Sequence, residues 1–189
     1  MGRKICRVNS KGENILKFQE LSLKGAFLIE LEKIEDERGF FSRAWDKKKI
    51  EDKGLNSNLS QCNISFNKNK GTIRGMHFQK KPYEEAKTIR CTKGKVFEVL
   101  IDIRVDSPTF HKWISVELCE NKYEILYVPE GFALGFQTLS ENTELYYQMS
   151  EYYHPEKSGG IKWNDPKIQI KWPLDCSTIS KKDESFNLL

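Results

Sequence analysis

One stretch of the chain gathers residue types suited to moving a proton. Gly71-Thr72-Ile73-Arg74-Gly75-Met76-His77-Phe78-Gln79 is a polar, glycine-bracketed run that holds one of only three histidines. An imidazole titrates near neutrality, which fits it to act as an acid or base. Arg74 sets a fixed cation beside it, and Gly75 permits an unusual backbone angle or the close approach of a ligand. Lys87 follows ten residues on, then the turn Pro129-Glu130-Gly131-Phe132-Ala133-Leu134-Gly135-Phe136 and the pair Tyr146-Tyr147. Together they suggest proton transfer on an anionic substrate. Taken alone, a single histidine is more often a hydrogen-bonded structural residue, and the residues by themselves leave both readings open.

The other histidines carry less. His111 follows the Ser107-Pro108 turn and His154 precedes Pro155, and both are expected on the surface. No HxH or HExxH spacing occurs, so no metal is expected. Cys6, Cys62, Cys91, Cys119 and Cys176 are odd in number and never form a CxxC pair, which argues against a zinc site and a disulfide framework.

The elements that must position these groups are strands. Lys95 to Ile103 alternates, with Phe97, Val99, Ile101 and Ile103 on one face and Val96, Glu98, Leu100 and Asp102 on the other. Ala26 to Glu32, Trp113 to Leu118, Tyr123 to Val128 and Thr143 to Met149 also read as strands. Turn residues at Lys93-Gly94, Asp106-Ser107-Pro108, Glu120-Asn121, Pro129-Glu130-Gly131 and Ser140-Glu141-Asn142 separate them. Short strands at this spacing predict an all-β sandwich or barrel. Helices are expected only at the periphery, over Asp46 to Gly54 and in the stretch from Ser177. The face carrying Glu98 and Asp102 either lines a polar pocket or meets solvent, since carboxylates are rarely buried without partners.

The chain has 189 residues, 31% of them charged, and a net charge of +4. That suits a single domain with a charged surface. The charges are interspersed, so no nucleic-acid partner is expected. No apolar run is long enough for a membrane helix, and Met1 to Gly12 lacks an apolar signal core, so a cytoplasmic location is expected. Residues 1–20 are expected to be an extension and residues 21–189 the domain.

Several motifs resemble one family. Asp36-Glu37-Arg38-Gly39-Phe40-Phe41, Gln61-Cys62-Asn63, Arg74-Gly75-Met76-His77-Phe78-Gln79, Asp102-Ile103-Arg104, Ser107-Pro108-Thr109-Phe110, Pro129-Glu130-Gly131-Phe132-Ala133, Tyr152-Tyr153 and Trp163-Asn164-Asp165-Pro166 occur in its order and spacing. The chain thus resembles the dTDP-4-dehydrorhamnose 3,5-epimerases from about Leu21 to Asp183. The resemblance implies a cupin jelly roll (a double-stranded β-helix) that needs no metal or cofactor. It also implies a homodimer with an exchanged N-terminal strand, acting on a nucleotide-diphosphate-linked 4-keto-6-deoxyhexose at C3, C5 or both. His77 would be the base, oriented by Asp183. Lys87 would sit at the 4-keto oxygen and Tyr147 would donate from the far side, with Tyr146 in the wall. Arg38, Arg74, Gln61 and Asn63 would contact diphosphate and sugar, and Phe41 and Tyr153 would sandwich the base. Arg38 and Phe41 would come from the partner subunit.

Three positions depart from the family pattern. Leu134 replaces a histidine, Glu98 replaces an aspartate at the substrate site, and Arg43 replaces a glutamate that contacts thymine. Thymine N3–H seeks an acceptor, whereas cytosine N3 and O2 seek donors, which is all arginine offers. A CDP-linked substrate is therefore an alternative to the dTDP-linked one, with Arg43 reading the base, or else Arg43 turns to phosphate or solvent. Leu134 suggests epimerisation at one carbon, C5. A 3,4-ketoisomerase and a non-catalytic sugar-nucleotide-binding cupin remain alternative readings.

Overall fold

A computed structural model describes residues 16–189. Its strands are β1 (Leu16–Glu20), β2 (Phe27–Leu31), β3 (Ile34–Asp36), β4 (Gly39–Phe41), β5 (Gln61–Asn67), β6 (Ile73–Gln79), β7 (Lys87–Lys93), β8 (Lys95–Asp102), β9 (Trp113–Cys119), β10 (Glu124–Val128), β11 (Phe132–Thr138), β12 (Thr143–Met149) and β13 (Ser158–Gly160). Two short helices, α1 (Lys47–Glu51) and α2 (Lys181–Glu184), lie outside the sheets.

Antiparallel pairing builds a six-stranded sheet, β1-β2-β10-β7-β12-β5, and a five-stranded sheet, β13-β6-β11-β8-β9. This is the expected all-β cupin jelly roll. The main core lies between the sheets, where Ile89, Leu126 and Leu145 of the larger meet Val96, Leu100 and Leu118 of the smaller. The larger sheet leaves much of its other face open, with Ile64, Phe66 and Tyr146 exposed. The smaller sheet is covered on that side too. Met76, Val99, Ile101 and Ala133 pack there against Ile161, Ile168 and Trp172 of the C-terminal segment.

The larger sheet, packed on the face of β8 that carries Val96 and Leu100, decides the question that β8 leaves open. Glu98 and Asp102 are fully buried, not solvated. Asp102 is matched by hydrogen bonds from the Arg104 guanidinium, Ser107 and Thr109, a local turn network. Burial alone would raise its pKa, but these donors hold it well below the usual range.

The expected strands and turns are present, and both peripheral helices form, shorter than expected. Alternation does not reveal β5, β6, β7 or β11. Leu16–Glu20, which composition places in the N-terminal extension, forms β1 and pairs with β2 of its own chain. Residues 1–15 lie outside the described residues. His111 and His154 are half-buried, contrary to expectation: His111 holds φ +61°, and His154 stacks on Tyr83 with centroids 3.7 Å apart.

Two backbones approach closely where β6 meets β11. Gly75 has φ +127°, and a Cβ there would lie 2.5 Å from Gly135 Cα and 2.9 Å from the Leu134 carbonyl oxygen. Both obstacles are backbone, so neither can move aside. Gly75→Ala is expected to cost about 3 kcal/mol, read as a Tm lower by roughly 6–12 °C in a thermal melt.

Candidate active site

The pairing of β6 with β11 contains one extra residue. Leu134 pairs with His77 and Phe136 with Arg74, so three steps along β6 match two along β11. In a regular strand, residues three apart face opposite sides. The bulge puts Arg74 and His77 on the same face and sends Met76 to the other. Both then line a chamber of about 150 Å³ between the sheets. From the opposite sheet come Lys87 of β7, Tyr147 of β12 and Ser65 of β5. Glu98, Leu134 and Phe136 complete its lining.

A second, wider groove of about 430 Å³ adjoins it, and His77, Lys87 and Tyr147 line both. Gln61 and Asn63 project into this groove from β5, with Tyr153, Phe78 and Lys182 also on its walls. The backbone N–H of Tyr153 donates to Gln61 Oε1 at 2.7 Å, which ties the aromatic loop to the sheet edge.

His77 Nε2 lies 2.8 Å from Asp183 Oδ1, and the Gly75 N–H donates to Asp183 Oδ2 at 3.1 Å. Asp183 stands in the first turn of α2, where Ser180 caps the helix by accepting from the Asp183 N–H. Burial alone would raise the Asp183 pKa, but the His77 hydrogen bond and charge, with the Gly75 N–H, hold it below its ordinary value. A carboxylate so held only accepts. The imidazole proton therefore belongs on Nε2, and Nδ1 is left with its lone pair. Phe186 sets its ring edge-on to His77 at 5.8 Å and fills the space beside Gly160, where a Cβ would meet that ring at 2.2 Å.

The other groups are equally constrained. Lys87 Nζ pairs with Glu85 Oε1 at 2.6 Å, and the other Glu85 oxygen accepts from Gln79 Nε2 at 3.0 Å. The Tyr147 phenol is pushed up by burial, pulled back by Arg74 and raised again by Glu85, so it keeps its proton at neutral pH. Arg74 Nε donates to Asn67 Oδ1 at 2.8 Å. Glu98 has no hydrogen-bond partner for either carboxylate oxygen. Burial pushes its pKa up to about 8, with Lys87 pulling against it.

Of the residues expected from sequence, the structure brings together His77, Asp183, Lys87, Tyr147, Arg74, Glu98, Gln61, Asn63 and Tyr153. It does not bring Arg38, Phe41 and Arg43 to either cavity of the same chain. Arg38 pairs with Asp36 in the β3–β4 hairpin. Phe41 is 63% exposed, and Arg43 pairs with Asp46 at 3.0 Å. Sequence reasoning missed Glu85, Gln79, Ser65, Lys182 and Phe186. Glu85 alone left a signal, an acidic residue two positions before Lys87. Among the described residues, no group of three or more His, Cys, Asp or Glu gathers as a metal site. No helix among them is long and apolar enough to cross a membrane.

The family model described as dTDP-4-dehydrorhamnose 3,5-epimerase matches residues 20–189. A protein of that name from Sinorhizobium fredii is 42% identical over 173 residues, 89% of this chain and 87% of the relative. The crystal structure of the enzyme of that name from Elizabethkingia anophelis superposes with a TM-score of 0.89 at 36% identity, covering 92% of this chain and 96% of that one. One from Bacillus anthracis, with TDP and PPi bound, gives a TM-score of 0.89 at 38% identity, covering 93% of this chain and all of that one.

The Asp183 pairing has a pH signature. Its folded pKa lies below its ordinary 3.8, so the stabilisation is complete above that value and lost as pH falls through the folded one. Asp183→Asn is expected to cost about 1–3 kcal/mol at neutral pH. In denaturant titrations, the gap between variant and wild type should narrow below about pH 4.

Proposed function

The chain belongs to the dTDP-4-dehydrorhamnose 3,5-epimerase family, and from this premise we propose that it inverts carbon beside the ketone of a nucleotide-linked 4-keto-6-deoxysugar. The observation that carries the reading is the placement of His77 and Tyr147 on opposite sheets, facing one chamber. Inversion needs a base on one face of the ring and an acid on the other.

The steps follow from the geometry. His77 Nδ1 takes the proton from the carbon next to the ketone. The C–H electrons become a C=C bond and the carbonyl oxygen becomes an enolate. Lys87, held in place by Glu85, stabilises that oxyanion. The Tyr147 hydroxyl then delivers a proton to the opposite face, the double bond collapses, and the carbon is inverted. His77 then releases its proton to solvent and the Tyr147 phenolate takes one up, which restores both groups. The inner chamber holds the sugar. The outer groove holds the diphosphate near Lys182, Gln61 and Asn63, with Tyr153 stacking on the base.

Arg38 and Phe41 complete the site from a second copy. They sit on a hairpin that projects with its aromatic residues exposed, while their own chain's cavities lie elsewhere. A homodimer with an exchanged N-terminal segment would bring them to the partner's groove, and it explains the open outer face of the larger sheet. Sedimentation should show a dimer, and Phe41→Ala should weaken dTDP binding without dissociating it.

The family points to a dTDP-linked substrate. The CDP alternative rests on Arg43, which uses one nitrogen on Asp46 and keeps other donors free. Competition between dTDP and CDP for the purified chain decides it, and a clear preference for dTDP ends the cytidine reading. Deuterium incorporation followed by proton NMR tests the chemistry. His77→Ala should lower exchange by ~10²–10⁴-fold while dTDP binding persists. A protein that binds but never exchanges would be the non-catalytic cupin, and a product with its ketone moved to C3 would be the ketoisomerase's. Tyr147→Phe should keep exchange on the His77 side and lose inversion. With Leu134 in the chamber, C5 should exchange ahead of C3, and equal rates would remove that narrowing.

A further inference from the structure

One buried side chain ties the two ends of the site together. Gln79 ends β6, is 5% exposed and takes no part in the steps above. Its amide has a single possible orientation. A backbone N–H can only donate, so the 2.6 Å contact from the His154 N–H must end on Oε1. Nε2 then faces three oxygens: the Tyr152 carbonyl at 3.0 Å, the Tyr83 carbonyl at 2.9 Å and Glu85 Oε2 at 3.0 Å.

Two arms leave this amide. One runs to the outer groove. Tyr152 and His154 flank Tyr153, so Gln79 holds the main chain on both sides of that tyrosine, while Gln61 accepts from the Tyr153 N–H itself. The Tyr153 ring stays exposed on the groove wall. His154 is braced in turn by its stack on Tyr83, whose carbonyl the same amide holds. The other arm runs to the chamber. Glu85 accepts from Gln79 through one oxygen and holds the Lys87 ammonium at 2.6 Å with the other. A lysine on a flexible four-carbon stem is thereby fixed at its tip.

We propose that Gln79 is a positioning residue that sets the distance between Tyr153 and Lys87, and so matches the site to the length of a nucleotide-linked sugar. This rests on the epimerase reading, in which the tyrosine stacks on the base and the ammonium meets the keto oxygen. The two groups then touch opposite ends of one long, flexible substrate. Binding at the base helps the reaction only if the ketone arrives in register with Lys87. Two separately mobile arms would grip each end without holding that register, and one buried amide removes their independence.

The test uses the full chain. Binding is read by titration calorimetry with whichever of dTDP and CDP wins the competition above. Chemistry is read by deuterium exchange into a 4-keto-6-deoxysugar linked to that nucleotide. Gln79→Met keeps the side-chain length and removes all of these hydrogen bonds. It should weaken diphosphate binding about tenfold and lower kcat about tenfold. Glu85→Ala cuts only the chamber arm, so kcat should fall while diphosphate affinity stays. Gln79→Glu adds a readout that a merely structural role would not move. It keeps the acceptor for His154 but sets a carboxylate against Glu85, and two facing carboxylates take up a proton readily. Once protonated, the introduced carboxyl donates to Glu85 as the amide does. Its kcat/KM relative to wild type should therefore rise as pH falls from about 8 to about 6. The other titratable groups around this amide are Lys87, Tyr83, Tyr152 and His154, with Glu151 and Glu156 beside His154. Both proteins share them, so they cancel in that ratio. Diphosphate affinity in Gln79→Met within about twofold of wild type, an equal loss of affinity in Glu85→Ala, or a flat pH ratio would overturn the proposal. Should Gln79→Met melt below the assay temperature, the other two variants decide. A wild type that exchanges no deuterium overturns the epimerase reading and this role with it, whereas exchange that all three variants retain overturns this role alone.

Discussion

The carboxylate of Asp183 joins the fold to the chemistry. It accepts from the Gly75 backbone and from His77, and it stands in a helix whose cap is Ser180. Its partners are therefore a main-chain amide of β6 and the side chain two residues on. Because β6 is bulged there, neither partner can shift without the other. One hydrogen-bonded pair fixes the tautomer, the ring orientation and the seat of the C-terminal segment against the smaller sheet. That segment also covers the outer face of the sheet through Ile161, Ile168 and Trp172. The docked C-terminal segment thus also seats Asp183 against His77.

The two cavities divide the work by size and polarity. The inner one is smaller and sets Leu134, Phe136 and Leu145 beside its polar groups. The outer one is wider, flanked by amide side chains, an exposed aromatic and a lysine. His77, Lys87 and Tyr147 stand where the two meet. In the proposed reaction, groups at this boundary would reach the carbon next to the ketone from the chamber while the nucleotide lies in the outer groove.

Much of this was legible in the sequence, and the failures have physical causes. β8 was readable because its two faces alternate cleanly, although the fate of Glu98 depended on the facing larger sheet, whose Lys87 and Tyr147 share its chamber and which no periodicity reveals. β6 was missed because its bulge shifts the phase midway and its inward residues are polar. β7 begins with Lys87 turned inward, and β11 has two faces that are both buried, so neither alternates. His77, Lys87 and Tyr147 were recognisable by type and spacing. Asp183 is 106 residues from His77, and only the family resemblance linked them. Glu85 pairs with Lys87 and Phe186 packs on His77; the spacing of Glu85 from Lys87 was its only signal, and Phe186 left none.

His77 and Tyr147 ride on separate sheets, and the gap between them is set by the thickness of the sandwich. That thickness is fixed by interdigitating residues such as Leu100, Leu118 and Leu126, none of which lines either cavity. Trimming one of these would bring the layers together or let them breathe, and if Tyr147 delivers the proton as proposed, it would then arrive early or late. Stereochemical fidelity is in this sense a property of the hydrophobic interior, open to change by substitutions that never meet the sugar.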